Sequence, residues 1–292
     1  LGKISVGPPY FNVFFVPMTL GLMVAMGFAV FSRWKKTDAN MLLQKGMVPF
    51  LISLSAALIL PLFLAESMSW ATYSITAAIT LGASFWVVTM SLEDLWQKLD
   101  RGSSKSGSRL INITKLPGSY WGMQVAHIGI AVCALGVGLS SVYDVQKDVR
   151  MVPGDRAEVA GYEFVFDSLD FVQGPNYGAS RGQISAYKND RVVAVLHPEK
   201  RKYEARNQVM TEAALDAGLT RDLYVSLGEP LKGDAWAIRL HVKPFVRCIW
   251  LGGLMIGLGG LLSVMDKRYR RRQSRTLAKA QSGATAVEVG AQ

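Results

Sequence analysis

Residues 116–142 read LPGSYWGMQVAHIGIAVCALGVGLSSV, an apolar run long enough to cross a bilayer that carries one ionisable side chain, His127. From Ser119 to His127 is about 12 Å of helix at roughly 1.5 Å per residue, which sets the ring well inside a hydrocarbon layer about 30 Å thick. A polar group at that depth is expensive and needs a partner. Three fates are open to it: a hydrogen bond to a neighbouring helix, ligation of a metal or haem iron, or a place in a proton relay. Small residues crowd the same helix.

Outward from this run the chain repeats the pattern. Half of its 292 residues are hydrophobic, mean hydropathy is +0.22 and the net charge is +10. That balance suits an integral membrane protein better than a basic nucleic-acid binder. Apolar runs predict five transmembrane helices, at about 12–31, 46–65, 70–91, 119–142 and 245–265. The positive charge concentrates in alternate connections. Segment 32–45 carries four basic residues and one acidic, segment 93–118 five and three, and tail 266–292 seven and two. This asymmetry predicts that those segments face the cytoplasm. Glu66–Ser69 then forms a short outer turn, and 143–244 a large domain on the opposite side. The basic tail RYRRRQSR is read as an anchor on anionic lipid rather than a nucleic-acid arm. The chain opens at Leu1 without an initiator Met or a signal peptide, which suggests a piece of a longer chain.

Segment 143–244 predicts a small antiparallel β-rich domain inserted between helices four and five. Trp236, Ile238, Leu240 and Val242 alternate with Ala237, Arg239, His241 and Lys243, as in a half-buried strand. Further strands are expected near 162–171, 183–188, 192–196 and 222–227, with a short helix over Thr211–Ala217. His197 and His241 read as solvated or hydrogen-bonded surface histidines, and Glu199-Lys200-Arg201-Lys202 as a solvated run able to dock an acidic partner. Cys133 and Cys248 each fall in a predicted span and lack CxxC spacing, so they read as packing residues. Arg247 is expected to snorkel to the interface beside Trp250, and the glycines of 252–260 to form a close-packing helix surface. No hydrolytic triad, metal-spaced Cys/His cluster or phosphate loop appears, which leaves catalytic residues unassigned.

Four stretches together carry a resemblance: GKISVGPPYFN at the start, WGMQVAHIGIAV, GPNYGASRG with HPEKRKYEARNQVMTEAAL, and DLYVSLGEPLKGDAWAIRLHVKPFVRCIWLGGLMIGLGG. They resemble the C-terminal half of the CcmF family, the membrane subunit of the bacterial cytochrome c haem lyase. The resemblance implies a role in cytochrome c-type biogenesis, with His127 as one axial ligand of a membrane haem b, and with Ala126, Gly129, Ala131 and Cys133 leaving room for its flat macrocycle. It implies as partners the N-terminal half of the same protein, a CcmH-type apocytochrome-handling subunit, the haem chaperone CcmE and apocytochrome c, with quinol as an electron source. In the family scheme haem from CcmE is kept reduced through haem b and joined as thioethers to CxxCH thiols. That would make the protein a component of a haem lyase with quinol:haem oxidoreductase activity, in the bacterial inner membrane with 143–244 in the periplasm. This half alone is not expected to be active, since the second membrane histidine and the outer haem site belong to the earlier half. The competing reading is a transporter or permease segment with His127 in a proton relay. It calls for membrane carboxylates, and the five predicted spans contain none.

Overall fold

The computed structural model describes residues 7–32, 37–67, 72–106, 116–205 and 208–266. Five helices, α1 (Pro8–Ala29), α2 (Ala39–Ser67), α3 (Ile75–Ser106), α4 (Gly118–Tyr143) and α5 (Val246–Val264), are long and apolar enough to cross a membrane. Each exceeds the roughly 20 residues needed to span, or comes within one of it. The expected turn at Glu66–Ser69 and the tail beyond 266 fall largely outside the described residues.

The chain forms two compact units, residues 1–53, 83–132 and 251–292 in one, and 54–82 with 133–250 in the other. In the first unit Trp86 of α3 keys α1 to α2. Its indole donates a 3.2 Å hydrogen bond to the Val24 carbonyl, its ring meets Phe28 edge-on, and Gly27 and Gly46 leave room for it. Ser53 of α2 donates 2.7 Å to the Pro49 carbonyl, satisfying a hydroxyl that the apolar surroundings cannot.

The second unit contains a sandwich of ten strands between α4 and α5. One sheet has the order β1 (Val145–Met151), β10 (Trp236–Pro244), β9 (Arg221–Pro230), β8 (Ala214–Ala217). The other runs β2 (Arg156–Val159), β3 (Tyr162–Gln173), β4 (Tyr177–Lys188), β6 (Glu199–Tyr203), β7 (Gln208–Glu212), with β5 (Arg191–Leu196) also on β4. All pairings are antiparallel. Period-2 alternation sends Phe164 and Phe166 of β3, Leu223, Val225 and Leu227 of β9, and Ile238, Leu240 and Val242 of β10 into one core. The β4–β5 hairpin turns at Asn189-Asp190, where both residues have positive φ, as a two-residue turn matched to strand twist requires.

Two expectations fail here. Thr211–Ala217 is not a helix: β7 and β8 occupy it, pairing Glu212 with Glu199 and Leu215 with Tyr224. Good helix formers yield because neighbouring sheet edges offer them ladder partners and a helix would not. Helix α3 also runs well beyond the predicted end at residue 91, to Ser106, and so carries Glu93 and Asp94 within a candidate span. The apolar run stops at residue 91 because α3 then turns polar groups onto α4, while the backbone ladder continues.

Candidate functional site on helix α4

Helix α4 has two differently built faces. Gly122, Gly129 and Gly136 recur every seven residues and form a seam against α5. A Cβ at Gly129 would lie 2.9 Å from the Gly252 carbonyl and the Ile256 amide, and one at Gly136 would lie 2.6 Å from the Ile249 amide. From α5, a Cβ on Gly259 would lie 2.7 Å from the Ala126 amide. Without side chains in the way the two backbones touch, which gains dispersion contact where lipid supplies no hydrophobic drive. The expected role of Ala126 and Gly129 in leaving space for a flat ligand is therefore corrected, since α5 already fills that space. Among the described residues Gly253, Gly257 and Gly260 of α5 meet nothing within 4 Å, so only part of the expected glycine surface packs against α4.

At about 100° per residue, His127 stands about 20° from Tyr120 and about 60° from Gln124, on the side of α4 away from the seam. That side faces α3 at Tyr120 and Gln124. Asp94 of α3 accepts hydrogen bonds from Tyr120 (2.9 Å), from the Gln124 amide (3.3 Å) and from Lys98 (2.6 Å). The Gln124 amide also donates to the Tyr120 oxygen at 2.7 Å and to the Ser91 carbonyl at 3.3 Å. The buried carboxylate thus has three donors on its Oδ2, as low-dielectric surroundings demand. Sequence reasoning missed this cluster, although the Asp94/Lys98 and Tyr120/Gln124 spacings of four were available.

His127 does not join the cluster. Among the described residues its Nδ1 is buried without a hydrogen-bond partner, as are the hydroxyls of Ser84 and Ser91 on α3. An orphaned imidazole nitrogen inside an apolar helix bundle is a costly arrangement that a ligand or a partner from another chain segment would relieve. A haem iron fits this demand, because one imidazole nitrogen can ligate while the other takes an acceptor. The fit extends to one axial position. His197 and His241 lie in the sandwich, and among the described residues no group of three His, Cys, Asp or Glu could hold a metal ion. Cys133 and Cys248 are free thiols.

In the sandwich, His197 is exposed between β5 and β6, but His241 is not a surface residue. Its Nε2 meets the Asp144 carboxylate and its ring meets Tyr224 edge-on, so these neighbours cover His241, while Arg239 on the same face of β10 stays exposed. Arg247 places its Nε 3.8 Å from the Asp222 carboxylate at the start of α5. The 199–202 run is largely self-paired. Glu199 is buried and takes Arg181 at 2.5 Å and Arg201 at 2.7 Å, Lys200 reaches Glu229 at 2.6 Å, and Arg201 stacks over Tyr177. These charges staple β6 to its neighbours and do not form an open cationic face.

Burial alone would raise the Glu199 pKa, but the hydrogen bonds from Arg201 and Arg181 outweigh it and hold the carboxyl below its usual range. A depressed carboxylate contributes stability that is present above its unfolded pKa of about 4.3 and is lost as pH falls through the folded value. Glu199→Gln should therefore destabilise the sandwich by roughly 1–3 kcal/mol at neutral pH. The gap between variant and wild type should narrow in melts taken below the ordinary carboxylate range. A gap that stays constant or widens on acidification would contradict the pairing.

A family model described as the CcmF C-terminal beta-sandwich matches residues 142–244. The cytochrome c-type biogenesis protein CcmF of Pseudomonas aeruginosa is 47% identical over 268 residues, covering 92% of this chain and 39% of the relative. CcmF of Escherichia coli is 38% identical over 277 residues, 94% of this chain and 40% of that protein. The biogenesis protein ccl1 of Rhodobacter capsulatus is 35% identical over 272 residues, 92% and 39% respectively. The chain thus spans about two fifths of the length of the curated relatives it matches. A solved structure of cytochrome c heme lyase CcmF shares the fold with a TM-score of 0.67 at 19% identity, over 89% of this chain and 41% of that one. The likeness runs through the helices and the sandwich alike, and on it this chain belongs to the CcmF family, matching the C-terminal part of its members.

Proposed function

We propose that this chain is the part of a cytochrome c haem lyase that supplies one axial ligand, His127, to a haem b held within the membrane, and carries the sandwich that positions partners. The observation that carries the reading is the buried, unpartnered Nδ1 of a lone imidazole in a membrane-length helix. It is joined by a chain-long likeness to proteins named for cytochrome c-type biogenesis. Haem b, when bound, supplies one-electron transfer, and the protein sets its position and potential. The α4–α5 seam fixes the height and rotation of His127, because backbone contact permits neither sliding nor turning of α4. The Asp94–Tyr120–Gln124 cluster ties α4 to α3 one turn away. The second ligand is assigned to the N-terminal half, where the outer haem site and the contacts with CcmE also belong. The sandwich would hold a CcmH-type subunit or apocytochrome c close to that site, raising effective concentration without new chemistry. Quinol is the proposed electron source, and the half described here is not active by itself.

The test is functional replacement. In cells lacking their own copy, full-length protein with His127→Ala should give less than about a tenth of the wild-type covalent c-type haem, in line with the 10–100-fold losses seen when even outer supports of a metal ligand are removed. A wild-type yield would refute the role. Glu93 and Asp94 give the permease reading membrane carboxylates that the five predicted spans lack. Glu93 accepts from Gln97 at 2.8 Å, Asp94 accepts from Lys98, Tyr120 and Gln124, and His127 is not among these partners, which favours the haem reading.

Orientation is proposed from charge: the α1–α2 connection and the tail in the cytoplasm, the sandwich in the periplasm of the inner membrane. An impermeant thiol reagent applied to spheroplasts should label a single cysteine at position 190 and spare one at position 35. The reverse pattern would invert the topology.

A further inference from the structure

A cavity of about 180 Å³ opens where the end of α1, the start of α2 and the polar end of α3 meet, lined by Val30, Phe31 and Ser32, Met41 and Lys45, and Asp94, Gln97 and Lys98. We propose that it is a binding site for the phosphate of an anionic phospholipid. This inference stands apart from the haem assignment, sharing only Asp94 and Lys98 with the cluster described above.

Depth is the first argument. From Ile75 to Asp94 is about 28 Å of helix, and from Pro8 to Val30 about 33 Å, so both stretches reach the cavity after one hydrocarbon thickness. Trp96, 58% exposed between Asp94 and Lys98, is an aromatic of the kind that settles at headgroup level. Charge is the second argument. Among the described lining residues are two ammonium groups, Lys45 and Lys98, and one carboxylate, and that carboxylate already accepts from Tyr120 and Gln124 as well as Lys98. An ammonium carries three donors, and Lys98 directs one of them to Asp94 while its nitrogen also lies 4.0 Å over the Tyr120 ring. Lys45 sits 4.7 Å over the Phe31 ring, which holds its charge at the cavity wall. Shape is the third argument. Phe31, Val30 and Met41 give the cavity an apolar side, which suits the glycerol end of a lipid and not a free ion. The volume equals about six waters at roughly 30 Å³ each, enough for a phosphate group. Basic pockets between membrane helices recognise lipid phosphates by this combination.

The experiment uses full-length protein in nanodiscs of phosphatidylcholine containing a minority of phosphatidylglycerol, released into a native mass spectrometer. Wild type should retain phosphatidylglycerol in preference to phosphatidylcholine. Lys45→Gln and Lys98→Gln should each lower that preference by roughly fivefold, the worth of one ammonium near an anionic surface. Met41→Trp, which fills the cavity and leaves every charge in place, should lower it too, and decides the matter if a lysine variant fails to assemble. Lys147→Gln, in the sandwich, should leave it unchanged. Unaltered preference in the lysine and Met41 variants would overturn the proposal and assign any enrichment to basic residues elsewhere in the chain. Loss of the retained lipid on adding inorganic phosphate would overturn the lipid assignment in favour of a free-phosphate site.

Discussion

Purified full-length protein carrying His127→Ala is expected to lose at least about nine tenths of its reduced b-type α-band. The side chain removed is the only imidazole in the described helices, and its buried Nδ1 finds no partner among the described residues. Nothing on α4 can take its place. Met123 shares its face one turn away, but a thioether there would approach the iron from a different height. Free imidazole should restore part of the band, because it fills a vacated coordination position. His197→Ala, on an exposed residue of the sandwich, should leave the band intact. A normal spectrum in His127→Ala would remove this chain from the haem site.

The second large effect concerns the seam that holds His127 in place. Gly129→Leu and Gly259→Leu each drive a side chain into backbone: the Gly252 carbonyl and Ile256 amide in one case, the Gly122 carbonyl and Ala126 amide in the other. Backbone cannot swing aside as a side chain can, so the cost should exceed the 1–3 kcal/mol typical of overpacking, about enough to remove a large part of a marginal fold. Gly253→Leu and Gly257→Leu place the same leucine on α5, the helix of Gly259, where nothing among the described residues lies within 4 Å. Size-exclusion profiles and thermal melts of the full-length variants should separate the two pairs, with only the first pair aggregated or strongly shifted. Equal behaviour would mean that α4 and α5 do not pack through these glycines. Because the seam sets the position of His127, the first pair should also lose haem.

Much of this was legible in the sequence, and the misses have a common physical cause. Five apolar runs gave five helices because length and composition alone decide whether a segment can span. The core of β10 was legible because period-2 alternation at Trp236, Ile238, Leu240 and Val242 is a local pattern. What failed depended on partners far along the chain. Asp94 lies outside the apolar run but inside the helix, and only the approach of Tyr120 and Gln124 makes burial tolerable there. His241 has a polar residue's place in the alternation, and Asp144 and Tyr224 cover it from 97 and 17 positions away. Thr211–Ala217 has helical composition but lies between two sheet edges that need strands. The small residues near His127 carried a readable signal that was attributed to the wrong cause. Glycines at 122, 129 and 136 repeat at seven residues, as do 252 and 259, and matching repeats on two apolar helices point to a helix–helix seam.

The central claim is an iron bond to His127, and low-temperature electron paramagnetic resonance of the oxidised full-length protein tests it most directly. Two imidazole ligands give a low-spin ferric signal, and removal of one leaves a weaker field and a high-spin iron. Wild type should show the low-spin bis-imidazole signal. His127→Gly should show high-spin iron in whatever haem it retains, and exogenous imidazole should return that iron to low spin. A His127→Gly protein that keeps the wild-type low-spin signal without added imidazole would contradict the account.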